Sequence, residues 1–503
     1  MGSNQLAKAI WSSAMLGAAV IIACQARLAL PQSGSPAKPA SKQERTYPSF
    51  PGALREVPDW MARDAPFDVR RWLRQVPPDE NAATLYFDAL YEFDPQAGAD
   101  CVSPEENQSR GAALRERYAR TEQFLQRPPS GTLPAQRLQV VDEYRESFEK
   151  LARAQPRRQC AFETPIGLET ALYLSVRRPF YLRRIARLLD WRVESEIDEG
   201  QVDAAVDSFT MVLHLSRDFQ RRGPLVHQFV SLAIVGLSQT QVLPRILGSD
   251  ELAPRHCDRL IEALSQYTTP DLDPLAEGFR VEYLSLRDLL RRLEANERLS
   301  ETFGWPGSTN GVALAKLMLE EGGLARPGVA EEIDDALSRM TPADYKAELE
   351  QLNRFFGPLV KPERPWSELQ DLDADQESAA NKLFLEPLLP DVRLIVNNFF
   401  LRHRTRIGAM QCLVALRRWQ TEHDGEPPAN LLMACKAAGL KSVPIDPFSR
   451  AGEALRFTML ADEPVVYSVA RDGKDDGAQL DWNFESGGQV NGDWIFRLPP
   501  VVK

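Results

Sequence analysis

The chain is poor in the patterns that usually announce a reaction. Its 503 residues include five histidines, His214, His227, His256, His403 and His423. None falls in a His-x-x-x-His or His-Glu-x-x-His spacing, so the sequence writes no helix-borne metal site. The six cysteines (Cys24, Cys101, Cys160, Cys257, Cys412, Cys435) lie far apart without a Cys-x-x-Cys pair, which argues against structural zinc and dithiol redox chemistry. There is no Gly-x-Ser-x-Gly elbow, no Gly-Lys-Ser/Thr phosphate loop and no Gly-x-Gly-x-x-Gly after a strand. Positive charge is also short. Lys and Arg total 60 against 71 Asp and Glu, for a net charge of -11. Binding nucleic acid needs a clustered basic surface, so no nucleic-acid partner is expected. The pairs Arg177-Arg178, Arg183-Arg184 and Arg291-Arg292 sit among acids and read as solvated faces or ion-pair partners. Acidic pairs such as Glu320-Glu321, Glu331-Glu332 and Asp334-Asp335 read as helix-surface charges, because a hydrolytic carboxylate pair is defined by a cleft that linear sequence does not display.

Long uncharged apolar runs are equally scarce. One, near the N-terminus, extends from Ala9 to Ala26, between Lys8 and Arg27. It is slightly short for a membrane span of ~20 residues, although Leu28-Ala-Leu30 extends it around Arg27. Three readings stand: an uncleaved single-span anchor over residues 1–30, a lipoprotein signal with Cys24 as the acylated residue, or a cleaved secretion signal. Ile21-Ile-Ala-Cys24 resembles a lipobox, with Ile22 where a small residue is usual. All three place the body across the membrane, in the periplasmic or extracytoplasmic space. Residues 31–52, rich in Pro, Ser, Gly and Ala, bury too little apolar area to fold and read as a tether. In an oxidising compartment Cys101 and Cys160 are candidates for a disulfide.

From 53 to 400 the apolar spacing is helical almost throughout, over 111–126, 135–154, 166–198, 202–220, 225–247, 251–266, 274–297, 342–356 and 379–401. Short connections carrying Gly or Pro predict stacked antiparallel helices. Residues 302–330, with many Gly and Pro, read as a loose excursion. Gly200, Ala205 and Phe209 follow the spacing of the second half of a tetratricopeptide repeat, but no 34-residue partner unit appears on either side. His214 and His227 lie in apolar helical runs and read as core histidines.

Beyond residue 401 the pattern changes. A helix is predicted over 406–421, broken at Asp424-Gly-Glu-Pro-Pro428, and Asp446-Pro-Phe448 marks a turn. Period-two alternation predicts strands at Leu455–Met459, Pro464–Val469 and Trp494–Leu498. An acidic loop, Ser468-Val-Ala-Arg-Asp-Gly-Lys-Asp-Asp-Gly477, follows the second strand.

This order of motifs resembles the globular end of the major pseudopilin of type II secretion systems. The resemblance runs from Leu416-Arg-Arg-Trp-Gln-Thr-Glu-His-Asp-Gly425 through Pro444-Ile-Asp-Pro-Phe448 and Leu455-Arg-Phe457 to Tyr467-Ser-Val-Ala-Arg-Asp-Gly473. The whole chain is also similar to planctomycete-type membrane proteins that carry this ending behind a helical region. In the pseudopilin the acidic loop binds calcium. Carried over, the resemblance implies Ca2+ ligands at Asp472, Asp475, Asn491 and Asp493, with Asp476 and Asp481 as further contributors. Oxygen-rich, Gly-containing loops suit calcium; an alternative is a turn cluster whose Asp side chains cap their own backbone. Ala470 stands where the family has Gly, Asn491 where it has Asp, and residues 478–490 form a longer insertion. The membrane segment lacks the family's basic leader and Gly-Phe-Thr-Leu-x-Glu start, so assembly into a filament is not implied.

The expectation is therefore a mainly α protein. An irregular or superhelix-like helical body (53–400) precedes a small α+β pseudopilin-like module with a short antiparallel sheet (401–503). Its expected role is a membrane-tethered scaffold with a protein partner. A component of a secretion or envelope apparatus is the second reading, and a hydrolase with its site in the helical body is the third.

Overall fold

The computed structural model describes residues 57–77, 79–94, 104–126, 134–157, 159–162, 168–268, 273–295, 340–361, 392–479 and 492–501. The N-terminal run and tether, Cys24, Cys101, the 302–330 stretch with its acidic pairs, Asp481 and Asn491 lie outside these residues.

Single turns α1 (Asp59–Ala62) and α2 (Val69–Trp72) open the body, and the Asp68 carboxylate caps α2 through the Arg71 amide at 3.0 Å. Then come α3 (Ala83–Phe93), α4 (Pro104–Gln126), α5 (Pro134–Glu143), α6 (Arg145–Ala154), α7 (Leu168–Asp198), α8 (Val202–Gln220), α9 (Leu225–Gln241), α10 (Leu243–Gly248), α11 (Pro254–Ser265), α12 (Pro274–Glu294) and α13 (Pro342–Phe356). Five of these begin on proline, whose fixed φ suits the first turn and whose missing N–H costs nothing there. A short α14 (Val392–Ile395) passes through a π turn at Val396–Phe400 into α15 (Leu401–Glu422), and α16 (Leu431–Ala437) follows.

Two expected helices are broken. The run at 135–154 divides at Tyr144 (φ -108°, ψ 18°), whose buried ring lies 4.9 Å from Phe93 and whose hydroxyl meets Thr121 Oγ1 at 2.5 Å. The run at 225–247 restarts at Pro244, which cannot donate to the preceding turn. The reversal at Gly200 (φ +72°) lets α7 and α8 pack as an antiparallel pair, with Ala205 and Phe209 fully buried between helices.

Two large apolar clusters make up most of the core among the described residues, and α8 divides them. Val202, Ala205, Val206, Phe209 and Leu213 belong to the first; Met211, Val212, Leu215 and Phe219 belong to the second, which α3, α6 and α7 complete. Every residue of α8 from Met211 to Gln220 is buried, the apolar ones in these clusters and Arg217 and Asp218 as an ion pair. The first cluster runs without interruption from Met61 to Leu498. It therefore joins α8–α13 to α15, α16 and the sheet.

The sheet has order β1 (Arg456–Leu460), β2 (Glu463–Ser468), β3 (Trp494–Arg497), all antiparallel. These strands fall within a residue or two of the expected ones. Phe457 opposes Val466, and Val466 opposes Phe496. This face joins the apolar cluster shared with α15. Val465 and Tyr467 point to the other face, where Ala478 of the acidic loop packs on them. The fold is thus mainly α with a small α+β end.

Candidate functional site

The acidic loop is positioned by the strand that precedes it and the strand that follows. Asp446, from the Asp446-Pro-Phe448 turn, is fully buried. Its Oδ1 accepts from the Ser468 hydroxyl (2.8 Å) and the Phe448 amide (3.0 Å), and its Oδ2 accepts from the Val469 amide (2.9 Å). Burial raises its carboxyl above the ordinary value, while these donors pull it back down. The turn is thereby clamped to the end of β2, where the chain enters the loop. Ala470 takes left-handed backbone, φ +48°. Glycine adopts that conformation at less cost than alanine.

Within the loop the carboxylates divide into two kinds. Asp472 Oδ1 accepts from the Lys474 amide (3.0 Å) and Asp475 Oδ1 from the Gly477 amide (3.0 Å), both ordinary Asx turns. The other oxygen of Asp475 pairs with Arg456 Nε at 2.9 Å, and the Tyr467 hydroxyl is also hydrogen-bonded to Asp475. Asp493 differs. It is fully buried, and its Oδ2 accepts from the Ala478 (2.8 Å) and Asp476 (3.1 Å) amides. Among the described residues its buried Oδ1 has no hydrogen-bond partner. Burial raises the Asp493 carboxyl, and the nearby negative charges of Asp475 and Asp476 raise it further.

The fit to calcium can be judged on these atoms. An unpartnered buried carboxylate oxygen beside two further acids is the environment a hard cation relieves. Of the four expected ligands, the structure places Asp472, Asp475 and Asp493 on one loop system, with Gly492 donating weakly to Asp472 Oδ2 at 3.4 Å. Asn491 lies outside the described residues. Among the described residues no three His, Cys, Asp or Glu side chains converge on one point, so the described side chains alone do not complete a shell. Asp493 is the residue with an oxygen to offer; Asp472 and Asp475 are partly engaged by backbone and Arg456.

The helical body holds its own buried polar centre, which the sequence did not announce. Asp218 Oδ1 is gripped by Arg217 Nε and Nη2 (2.9 and 2.7 Å), and Asp218 Oδ2 accepts from the Tyr86 hydroxyl at 2.8 Å. Arg217 reaches on to Gln266. Burial, followed by the Asp218 charge, pushes the Tyr86 hydroxyl and the Cys160 thiol well above their ordinary values. Both are therefore held protonated. His214, on the same helix, is kept neutral, its pKa driven to about 4 by burial and then by Arg217. It hydrogen-bonds the Gln155 backbone, and among the described residues its buried Nδ1 has no partner. His227 stacks on Phe219 at 4.2 Å. Asp218 spends both oxygens on tying α3 to α8, so this centre acts as a structural joint. Cys160 is a buried free thiol; its expected partner, Cys101, lies outside the described residues.

A second joint sits on Glu277 of α12. It accepts from Trp72 Nε1 (3.0 Å), the Arg222 amide (2.6 Å) and Arg280 Nη1 (2.7 Å), fixing α2 and the α8–α9 turn to one carboxylate. Partners so distant in sequence leave no spacing signal.

One stretch among the described residues, His227–Gly248, is long and apolar enough to cross a membrane, but it is mostly buried inside the body as α9 and α10. No protein-family model, curated protein or solved structure matches the chain.

Proposed function

We propose that this chain is a membrane-tethered extracytoplasmic scaffold or interaction protein in which a pseudopilin-like module is built into a helical body. The observation that carries the reading is the burial of α15. Its residues Ile407 to Arg417 are all buried, with α11 on one side and the sheet on the other. Gly408 allows this packing: a Cβ there would stand 3.1 Å from Leu455 Cδ1 and Pro444 Cβ. A helix that assembles into a filament needs a free apolar face. Here that face is spent within the molecule, which favours a presenting or bridging role over polymerisation. The net charge of -11 suits a solvated body held off the membrane by the 31–52 tether. A component of a secretion or envelope apparatus remains the second reading, since its module would be the same.

The topology is tested by protease treatment of intact spheroplasts. Digestion of the body from outside is expected, and a body that stays uncut until lysis would sink the extracytoplasmic reading. For the loop, we propose Ca2+ held by Asp493 with Asp472, Asp475 and Asn491. Calcium is expected to raise the melting temperature relative to chelator, and Asp493→Asn to remove that rise. An identical melting curve in calcium and chelator would refute the calcium site.

A further inference from the structure

We propose that Cys412 and Cys435 are a disulfide-forming pair, a covalent modification site that joins α15 to α16 when the chain folds in an oxidising compartment. The two residues lie on helices packed directly against each other. Both are fully buried in the same apolar cluster, and their thiols are hydrogen-bonding neighbours. They are free thiols in this structure. Sequence spacing gave no hint of the pair, because the loop between α15 and α16 carries one cysteine back to the other. That loop is ordered at both ends. His423 stacks on Trp419 at 3.8 Å where α15 ends, and Asn430 caps α16 through the Met433 amide at 3.1 Å.

The chemistry is ordinary thiol–disulfide exchange with a small disulfide oxidant. One cysteine thiolate attacks the oxidant, forming a mixed disulfide and expelling one oxidant thiol. The second thiolate then attacks the protein sulfur of that mixed disulfide. The Cys412–Cys435 bond forms, and the second oxidant thiol leaves. Two thiols are oxidised, one oxidant disulfide is reduced to two thiols, and the two protons end on the leaving groups. With both sulfurs enclosed in the finished core, exchange belongs to folding, before α16 closes. The remaining cysteine near α15, Cys257 of α11, has its thiol pushed up to about 12 by burial and is the natural competitor.

The proposal rests on the extracytoplasmic reading only for its oxidant, so the two are tested separately. The reduced full-length chain is refolded in buffer containing oxidised glutathione, blocked with an alkylating reagent in denaturant and mapped as peptides without reduction. A linked peptide containing Cys412 and Cys435 is expected. A melting temperature higher by roughly 5 °C than in dithiothreitol should accompany it. Cys435→Ser should leave Cys412 alkylated and abolish the difference. Should that variant not fold, the peptide map of the unsubstituted chain decides alone. Alkylation of both residues after refolding, or a link from either to Cys257, overturns the pair. A link formed in glutathione but missing from protein isolated from cells supports the pair and removes the compartment reading.

Discussion

Asp190 of α7 is a buried acid that accepts from the Ser238 hydroxyl of α9 at 2.8 Å. Burial raises its pKa to about 7, and Glu194 adds to the rise. An unfolded Asp titrates near ~3.9, so the folded state binds this proton more tightly. Its stabilising effect is therefore full at low pH and is lost as pH rises from about 4 through 7. Asp190→Asn keeps an acceptor for Ser238 and cannot ionise. In urea titrations it should match the parent near pH 3 and exceed it by roughly 4 kcal/mol near pH 8. Equal stabilities at pH 8 would contradict this. His214 and His403 oppose the trend, with pKa values lowered to about 4 and about 3 chiefly by burial. Their stabilising neutral forms are lost as pH falls below the unfolded value, giving the parent an acid limb that Asp190→Asn leaves in place.

At the scale of elements, the decisive joint of the C-terminal end is the turn bearing Asp446. Three donors from two separated segments meet one carboxylate, so removing it strands all three inside the protein. Asp446→Ala should cost about 2–4 kcal/mol in chemical denaturation, because buried donors are left without acceptors. Asp446→Asn, which retains one acceptor oxygen, should cost clearly less. Equal losses for the two would mean that the carboxylate's hydrogen bonds are not what holds the turn. How far such features were legible differs by kind. The helix pair meeting at Gly200 and the three strands were readable because local backbone chemistry dictates them. Asp446 was readable only as part of a turn motif. The grips on Asp218 and Glu277 were invisible, since Tyr86 and Trp72 meet them only after the chain folds back. Tyr144 broke an expected helix for the same reason: a distant hydroxyl, Thr121, outweighed local periodicity. In the acidic loop, the resemblance pointed to Asp472 and Asp493 alike, and geometry separated them. One makes an Asx turn; the other keeps a buried oxygen without a partner.

For the whole molecule, the continuous apolar cluster from Met61 to Leu498 means that the C-terminal module draws part of its core from the body. Arg418 of α15 pairs with Asp258 of α11 at 2.6 Å, and Arg417 donates to the Pro499 carbonyl. The apolar contacts do most of the holding, since an exposed ion pair contributes little. A fragment of residues 401–503 expressed alone leaves the α11-facing side of α15 uncovered. It should show weak near-ultraviolet circular dichroism and a broad, non-cooperative melt, whereas the full chain should give sharp tertiary signals. A fragment melting cooperatively with a native-like near-ultraviolet spectrum would show that the module closes its own core.

The position of α8 between two cores has a consequence for how the sequence can vary. Its first half exposes Asp203 and Asp207, which pair with Arg255 and Arg259 of α11, and there a side chain can change in size without meeting a core. Its second half, Met211 to Gln220, has no outward side. A larger residue there crowds one cluster or the other, a smaller one leaves a gap, and no rotation of the helix relieves either without disturbing the opposite core. Tolerance to substitution should therefore be narrowest along these ten positions of the chain, well away from the acidic loop.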